Sequence, residues 1–295
     1  MGCGQPPFRL LGEDVAVTRS RAAALVCLAG WAILSGLSGC RDAGAPKAAP
    51  TTAPPPVASA VPRPVASGCH TLTHDQALGS TVPDQDVDVP CSASHTAQTY
   101  AVGALDTLVA GHLLAVDSDR VRAQLATRCS AALGRFVGGS AEALRLSMLH
   151  ATWFRPTVEQ AADGADWYRC DVVVPSGEDA LETFTGSLKG VLDAGTSTGA
   201  ASDWAMCGTA QPGAAGFRRV PCRERHSWKA LSTVALPAGA YPGEAKVKEI
   251  GQKPCQQAGR DVAKDALDYQ WGYEWPTQQQ WEAGQTYGIC WAPSV

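Results

Sequence analysis

Val-Pro-Cys followed by three residues and a histidine occurs twice in this chain. The first instance is Val89-Pro90-Cys91 with His95, the second Val220-Pro221-Cys222 with His226. An apolar, strand-like stretch follows each, Thr99 to Leu105 and Lys229 to Leu236. Further on, Pro156-Thr157, Gly164 and Cys170 recur as Pro276-Thr277, Gly284 and Cys290 without a gap in spacing. An aromatic stands three residues before each final cysteine, Trp167 and Tyr287. Matches at so many fixed offsets point to an internal duplication, and two copies make a tandem pair rather than a solenoid. Such a chain is expected to fold as two small units of about 90 to 100 residues, a size at which staples supplement the core.

The cysteines supply those staples. Cys69, Cys91, Cys129 and Cys170 belong to the first copy; Cys207, Cys222, Cys255 and Cys290 belong to the second. An even count in an exported chain reads as a disulfide framework. Eight cysteines allow 105 pairings, but three schemes remain if each copy closes on itself in the same way. All three stay open on the sequence; the one expected joins first to second and third to fourth in each copy. Cys69 and Cys91 then flank a strand connection, while Cys129 and Cys170 tie a helix to the final strand. Each loop contributes on the order of 3 kcal/mol by the chain-entropy account.

Periodicity places the cysteines on elements. Asp117 and Ser118 are caps for a helix running to Val137 and stopped by Gly138-Gly139. Val121, Leu125, Cys129, Leu133 and Phe136 recur every three to four residues, which puts Cys129 on the buried face. The counterpart, Glu244 to Leu267, contains Pro254, so a break is expected there, with Pro254 in the first turn of a second helical piece. Arg145 to Phe154, Tyr168 to Val174, Phe217 to Val220 and Thr286 to Trp291 read as strands, and Phe184 to Leu188 as one more. The expected fold class is α+β: two tandem disulfide-stapled units, each of antiparallel strands with one main helix.

The N-terminus gives an address. Arg9, Arg19 and Arg21 precede an apolar run from Ala22 to Leu34, followed by Leu37-Ser38-Gly39-Cys40. The run is too short to span a bilayer but suits a secretory signal core. The whole segment resembles a bacterial lipoprotein signal peptide, which implies export, cleavage before Cys40 and a lipid on its sulfur. Residues 41–67 hold seven prolines and few bulky apolar groups, so they are expected to form a disordered, semi-rigid tether. At about 3.1 Å per residue it would reach up to roughly 80 Å. The expected organisation is therefore a signal peptide (1–39), a lipidated tether (40–67), a first unit (68–174), a connector (175–206) and a second unit (207–295). The formal charge is −4, and removal of the signal segment makes it −5. That argues against nucleic acid and against a polybasic grip on anionic lipid, leaving the Cys40 lipid as the contact with the membrane.

Several features together resemble the septum-formation domain family of actinobacterial cell-envelope lipoproteins. They are the Val-Pro-Cys-x3-His segment, the Tyr241-Pro242-Gly243 turn, the cysteine-bearing helix after it, Thr185-Gly186-Ser187-Leu188-Lys189-Gly190, and the closing Trp275-Pro276, Trp281, Gly284 and Cys290-Trp291. The resemblance covers residues 67 to 295, is clearest in the second copy, and lies in the combination rather than in any single motif. It implies a role at the division septum and a location on the extracytoplasmic face of the plasma membrane. It implies no enzymatic activity. The first copy departs from the pattern at Ala161, where the second has Trp281.

The candidate chemistry is sparse. Cys-x3-His invites zinc, but an oxidising compartment favours disulfides over four-ligand sites. His95 and His226 are instead expected to satisfy backbone groups in the Val-Pro-Cys turn. A cysteine nucleophile would have to stay reduced, and Ser187 and Ser227 lack a Gly-x-Ser-x-Gly elbow. No enzyme, metal or cofactor is therefore expected; a solvent-open cleft holding a histidine, a carboxylate and no disulfide would revive a third reading, an enzyme whose site assembles across the two copies. Trp271, Trp275, Trp281 and Trp291 crowd the C-terminal segment. Core packing is the favoured role for most of them, and a docking surface near Trp275, Trp281 and His226 is the alternative. The expected partners are the membrane through Cys40 and a cell-wall polymer or a division protein. The expected function is recruitment or scaffolding in septum formation, with a wall-binding lipoprotein without a division role as the alternative.

Overall fold

A computed structural model describes residues 62–82, 86, 88–193 and 200–294, all within one compact unit, Ala58–Val295. The signal segment, Cys40 and the tether as far as residue 61 lie outside the described residues. The first part comprises β1 (Cys69–His70), α1 (His74–Leu78), β2 (Asp88–Val89), β3 (Ala97–Ala104), a small hairpin of β4 (Leu108–Val109) and β5 (His112–Leu113), α2 (Asp119–Val137), α3 (Ala141–Arg145), β6 (His150–Phe154), α4 (Val158–Ala162) and β7 (Trp167–Val173). A connector follows, with a hairpin of β8 (Pro175–Ser176) and β9 (Ala180–Leu181) and then α5 (Ala200–Asp203). The second part comprises β10 (Met206–Gly208), β11 (Arg219–Pro221), β12 (Trp228–Ala235), α6 (Glu244–Val262), β13 (Gly272–Glu274), α7 (Gln278–Glu282) and β14 (Tyr287–Pro293).

Two five-stranded antiparallel sheets result, in the orders β2-β1-β3-β7-β6 and β11-β10-β12-β14-β13. Strand for strand these are the same order. The details recur too: β3 slips against β7 between Thr99 and Ala101, and β12 slips against β14 between Ala230 and Ser232. Thr157 with Gln160 and Thr277 with Gln280 form reciprocal capping boxes ahead of the last strand. The disulfides join Cys69–Cys91, Cys129–Cys170, Cys207–Cys222 and Cys255–Cys290, the expected scheme of first with second and third with fourth. The fold class is α+β, as the patterning implied.

The helix α2 buries Val121, Leu125, Cys129, Leu133 and Val137 and ends at Gly138, whose φ of 74° suits glycine. Phe136 is half-buried and packs beside Tyr100. The expected break at Pro254 does not occur: α6 runs unbroken through it, and it stops at Val262 rather than Leu267. Its buried stripe, Val247, Gly251, Cys255 and Gly259, lies on the sheet at every fourth position. The Cys255–Cys290 bond clamps the residue next to the proline. Tertiary packing thus outweighs the roughly 3 kcal/mol cost of an interior proline. The expected strand from Arg145 begins only at His150, because Ser140 caps α3 by accepting a hydrogen bond from the Ala143 amide at 3.0 Å. Phe184 to Leu188 forms no strand; Phe184 makes a single bridge to His95.

Side chains alternate along β14, so Ile289 and Trp291 face away from Cys290 and α6. That second face joins one apolar cluster with Leu133 and Val137 of α2, Val172 and Val174 beyond Cys170, and Phe184, Leu188 and Trp204 of the connector. The connector therefore supplies core between the sheets. On the far face of the first sheet, α1 covers Phe154 and Val173.

Gly251 shows how closely α6 approaches its sheet, since a Cβ there would lie 1.8 Å from the Tyr273 ring. Tyr273 is held in place by its hydroxyl, which donates to the Val247 carbonyl at 3.0 Å. Alanine would gain about 1 kcal/mol in helix propensity but overpacks a buried ring, at about 1–3 kcal/mol. Gly251→Ala is expected to lower stability in urea denaturation; an unchanged or raised midpoint would show that the helix and ring separate easily.

Candidate functional site

The histidines of the repeated segment close their own turns. His95 Nδ1 lies 2.8 Å from the Ala93 carbonyl and His226 Nδ1 2.7 Å from the Glu224 carbonyl, two residues back in each case. His95 is fully buried, edge-on to Phe184. Cys91 and Cys222 are bonded to cysteines, which removes the sulfur ligands a zinc site would need. Among the described residues no group of three or more histidine, cysteine or carboxylate side chains is arranged to hold a metal.

The C-terminal aromatic cluster forms no open platform. Trp281 is only 7% exposed, packs with Leu236 and Val247, and donates its indole N–H to the Gly239 carbonyl at 3.0 Å. Trp291 is fully buried. Trp275 is half-buried, and the Lys248 ammonium lies 4.4 Å from its ring centroid. The surface expected near Trp275 and Trp281 is thus largely core: α7 turns Trp281 inward against Tyr241 and α6.

A buried polar ring in the first sheet escaped the sequence reading. His70 Nε2 lies 3.0 Å from Thr99 Oγ1, which donates to Asp171 Oδ1 at 2.7 Å. Asp171 Oδ2 pairs with Arg169 Nη2 at 2.8 Å, and Arg169 Nη1 pairs with Asp86. Asp86 Oδ1 returns to His70 Nδ1 at 2.9 Å, closing the circuit. Burial pushes the Asp86 carboxyl up, but hydrogen bonds from His70 and Arg169 outweigh it and hold the group below the usual carboxylate range. Burial pushes the Asp171 carboxyl up, against the pull of Arg169, His70 and Thr99. Hydroxyl, imidazole and carboxylate occur here in the order of a hydrolase relay. However, Thr99 is 0% exposed and its one proton is directed to Asp171. No substrate reaches this hydroxyl, and the ring acts as a structural clamp.

The sequence signal was Arg169-Cys170-Asp171, two charges alternating with a disulfide cysteine on a strand. The corresponding positions around Cys290 are Ile289 and Trp291. One sheet therefore fills this face with ions, the other with apolar side chains.

Two clefts open on the connector. One, of about 370 Å³, is lined by Ser94, Phe184, Thr185, Ser187, Trp204 and Arg223 among others. A larger one, of about 860 Å³, lies between the β8–β9 hairpin and the second sheet and contains Glu178, Asp179, Arg218, Glu224, Arg225 and His226. It does hold a histidine and a carboxylate. The His226 Nδ1 is engaged with its own turn, and the Glu224 carboxylate accepts from Ser176; burial pushes the Glu224 carboxyl up.

Residues 145–290 match a family model described as septum formation. No curated protein and no solved structure matches the chain. The matched segment begins at the end of α3 and spans the last two strands of the first sheet, the connector and the second sheet as far as Cys290. It includes Arg169, Asp171 and the larger cleft, whereas His70, Asp86 and Thr99 precede it. The match supports a role related to septum formation. The four disulfides belong to an oxidising, extracytoplasmic compartment. Among the described residues no helix is long and apolar enough to cross a membrane.

Arg169→Met leaves Asp86 and Asp171 buried without their shared cation, at an expected cost of about 3–5 kcal/mol at neutral pH. In the native protein Asp86, with its folded pKa depressed, contributes stability that is lost as pH falls through that pKa. In the variant the uncompensated carboxyls titrate above their unfolded values, so their contribution is greatest at low pH and lost as pH rises. Urea denaturation of both proteins is expected to show the gap narrowing toward about pH 4. A gap of constant size would show that the ring carries no net charge coupling.

Proposed function

We propose that this protein is a non-catalytic, lipid-anchored envelope factor that recruits or scaffolds components during septum formation. The observation that carries this reading is the septum-formation family match over residues 145–290. The Leu37-Ser38-Gly39-Cys40 segment supports an anchor at Cys40, and the proline-rich stretch after it supports a tether. The shared strand order, recurring bulge and recurring disulfides support reading residues 68–174 and 207–295 as two copies of one unit joined by 175–206.

A binding role rather than catalysis is supported by where the reactive groups lie. The described cysteines are paired, His95 and His226 close turns, and the His70–Thr99 pair is sealed. The connector clefts and the half-buried Trp275 are accessible features that could serve a binding role. No cofactor enters this account, and the partner is a division protein or a wall polymer.

Imaging a tagged full chain beside its Cys40→Ala form in dividing cells tests the proposal. Septal enrichment that is lost when the anchor is removed is the expected result. A uniform peripheral signal through the cell cycle would overturn the septal reading in favour of a general wall-binding lipoprotein.

A further inference from the structure

The cleft between the β8–β9 hairpin and the second sheet carries acidic side chains on the hairpin turn and two arginines, with Glu224 beside them, on the sheet side. The hairpin turn carries Glu178 and Asp179; the facing wall carries Arg218 and Arg225, which flank β11. Among the described residues none of these four side chains makes an ion pair or a side-chain hydrogen bond. Neighbouring Arg219 and Arg223, by contrast, are both paired, with Glu274 at 2.8 Å and with Glu182 at 2.9 Å.

Fixed contacts join the hairpin to the sheet beside the cleft. The Gly177 amide donates to the Arg219 carbonyl at 3.1 Å, and Ser176 donates to the Glu224 carboxylate. Arg223 grips both Glu182 and the Thr183 carbonyl, the latter at 2.8 Å. The hairpin is therefore docked on the second sheet while its charged tip stays unpaired. Its volume, about 860 Å³, is that of a small-ligand site.

We propose that this cleft binds a short peptide, or an amino-acid branch, bearing both a free carboxylate and a free amine. The carboxylate would sit between Arg218 and Arg225, whose planar forks match it, and the ammonium would face Glu178 and Asp179. The lining decides the ligand class. It contains no tryptophan, tyrosine or phenylalanine on which a sugar ring could stack, whereas it presents both signs of charge. The backbone of both walls is already in place, so binding has to order only the side chains that close on the ligand. This inference goes beyond the septal role and does not depend on it.

The test is a calorimetric titration of the full chain, in detergent micelles, with trialanine carrying both free termini. Saturable binding that weakens with salt is expected. Capping either terminus, by acetylation or amidation, is expected to weaken it about tenfold, the size of one charge-assisted contact. The double change Arg218→Gln, Arg225→Gln is expected to abolish the penalty for amidation and leave that for acetylation. Both arginines are exposed and unpaired, so the variant should keep its thermal midpoint. No saturable binding of trialanine, or equal binding of the doubly capped peptide, would overturn the proposal.

Discussion

The rest of the structure depends on how the second sheet is covered on both faces. On one face α6 is clamped by Cys255–Cys290 and brought close by Gly251 and Gly259. On the other, Trp291 and Ile289 join a cluster shared with α2 and the connector. A small sheet with a single apolar face is marginal in water; this one is covered twice, once by its own helix and once by the preceding part of the chain. Phe184, Leu188 and Trp204 of the connector thereby become core, and the β8–β9 hairpin is pressed against β11. The larger cleft is a consequence of that docking.

The two sheets share their topology but not the chemistry of the face that lies away from the long helix. In the first, His70, Thr99, Asp86, Arg169 and Asp171 form a closed ionic ring, itself buried. A buried ion pair is weak evidence for stability, because desolvation offsets most of the Coulomb gain. Its effect is geometric: each member has a required partner, so β1, β3 and β7 are fixed in register, with Asp86 set between His70 and Arg169. The second sheet achieves the same closure with Trp291. The two halves can thus diverge in surface function while keeping one frame.

Local spacing made much of this legible. Equal offsets in the two halves cut the disulfide pairings to three schemes, of which the structure has the expected one, and the face of α2 followed from Val121, Leu125, Cys129 and Leu133. The histidine turns were also readable, because His95 and His226 stand at a fixed distance from a Pro-Cys pair. What was not legible depended on contacts distant in sequence. Pro254 reads locally as a break, yet packing and the adjoining disulfide carry the helix through it. Trp281 belongs to a cluster that reads mainly as core, with a docking surface as the alternative, and only the placement of α7 decides. The ionic ring draws on five scattered residues, with only the alternation of Arg169 and Asp171 about Cys170 as a hint. The cleft needs the connector to fold back, which no local pattern records.

These features describe an oxidised, double-sheet body with two clefts open on its connector. The family match over residues 145–290 supports a part in septum formation, which depletion of the protein from growing cells would test. Counting septa per unit length by time-lapse microscopy should show delayed or misplaced septation while elongation continues, with recovery when the full chain is restored. Septa of normal number, timing and position after complete depletion would contradict the account.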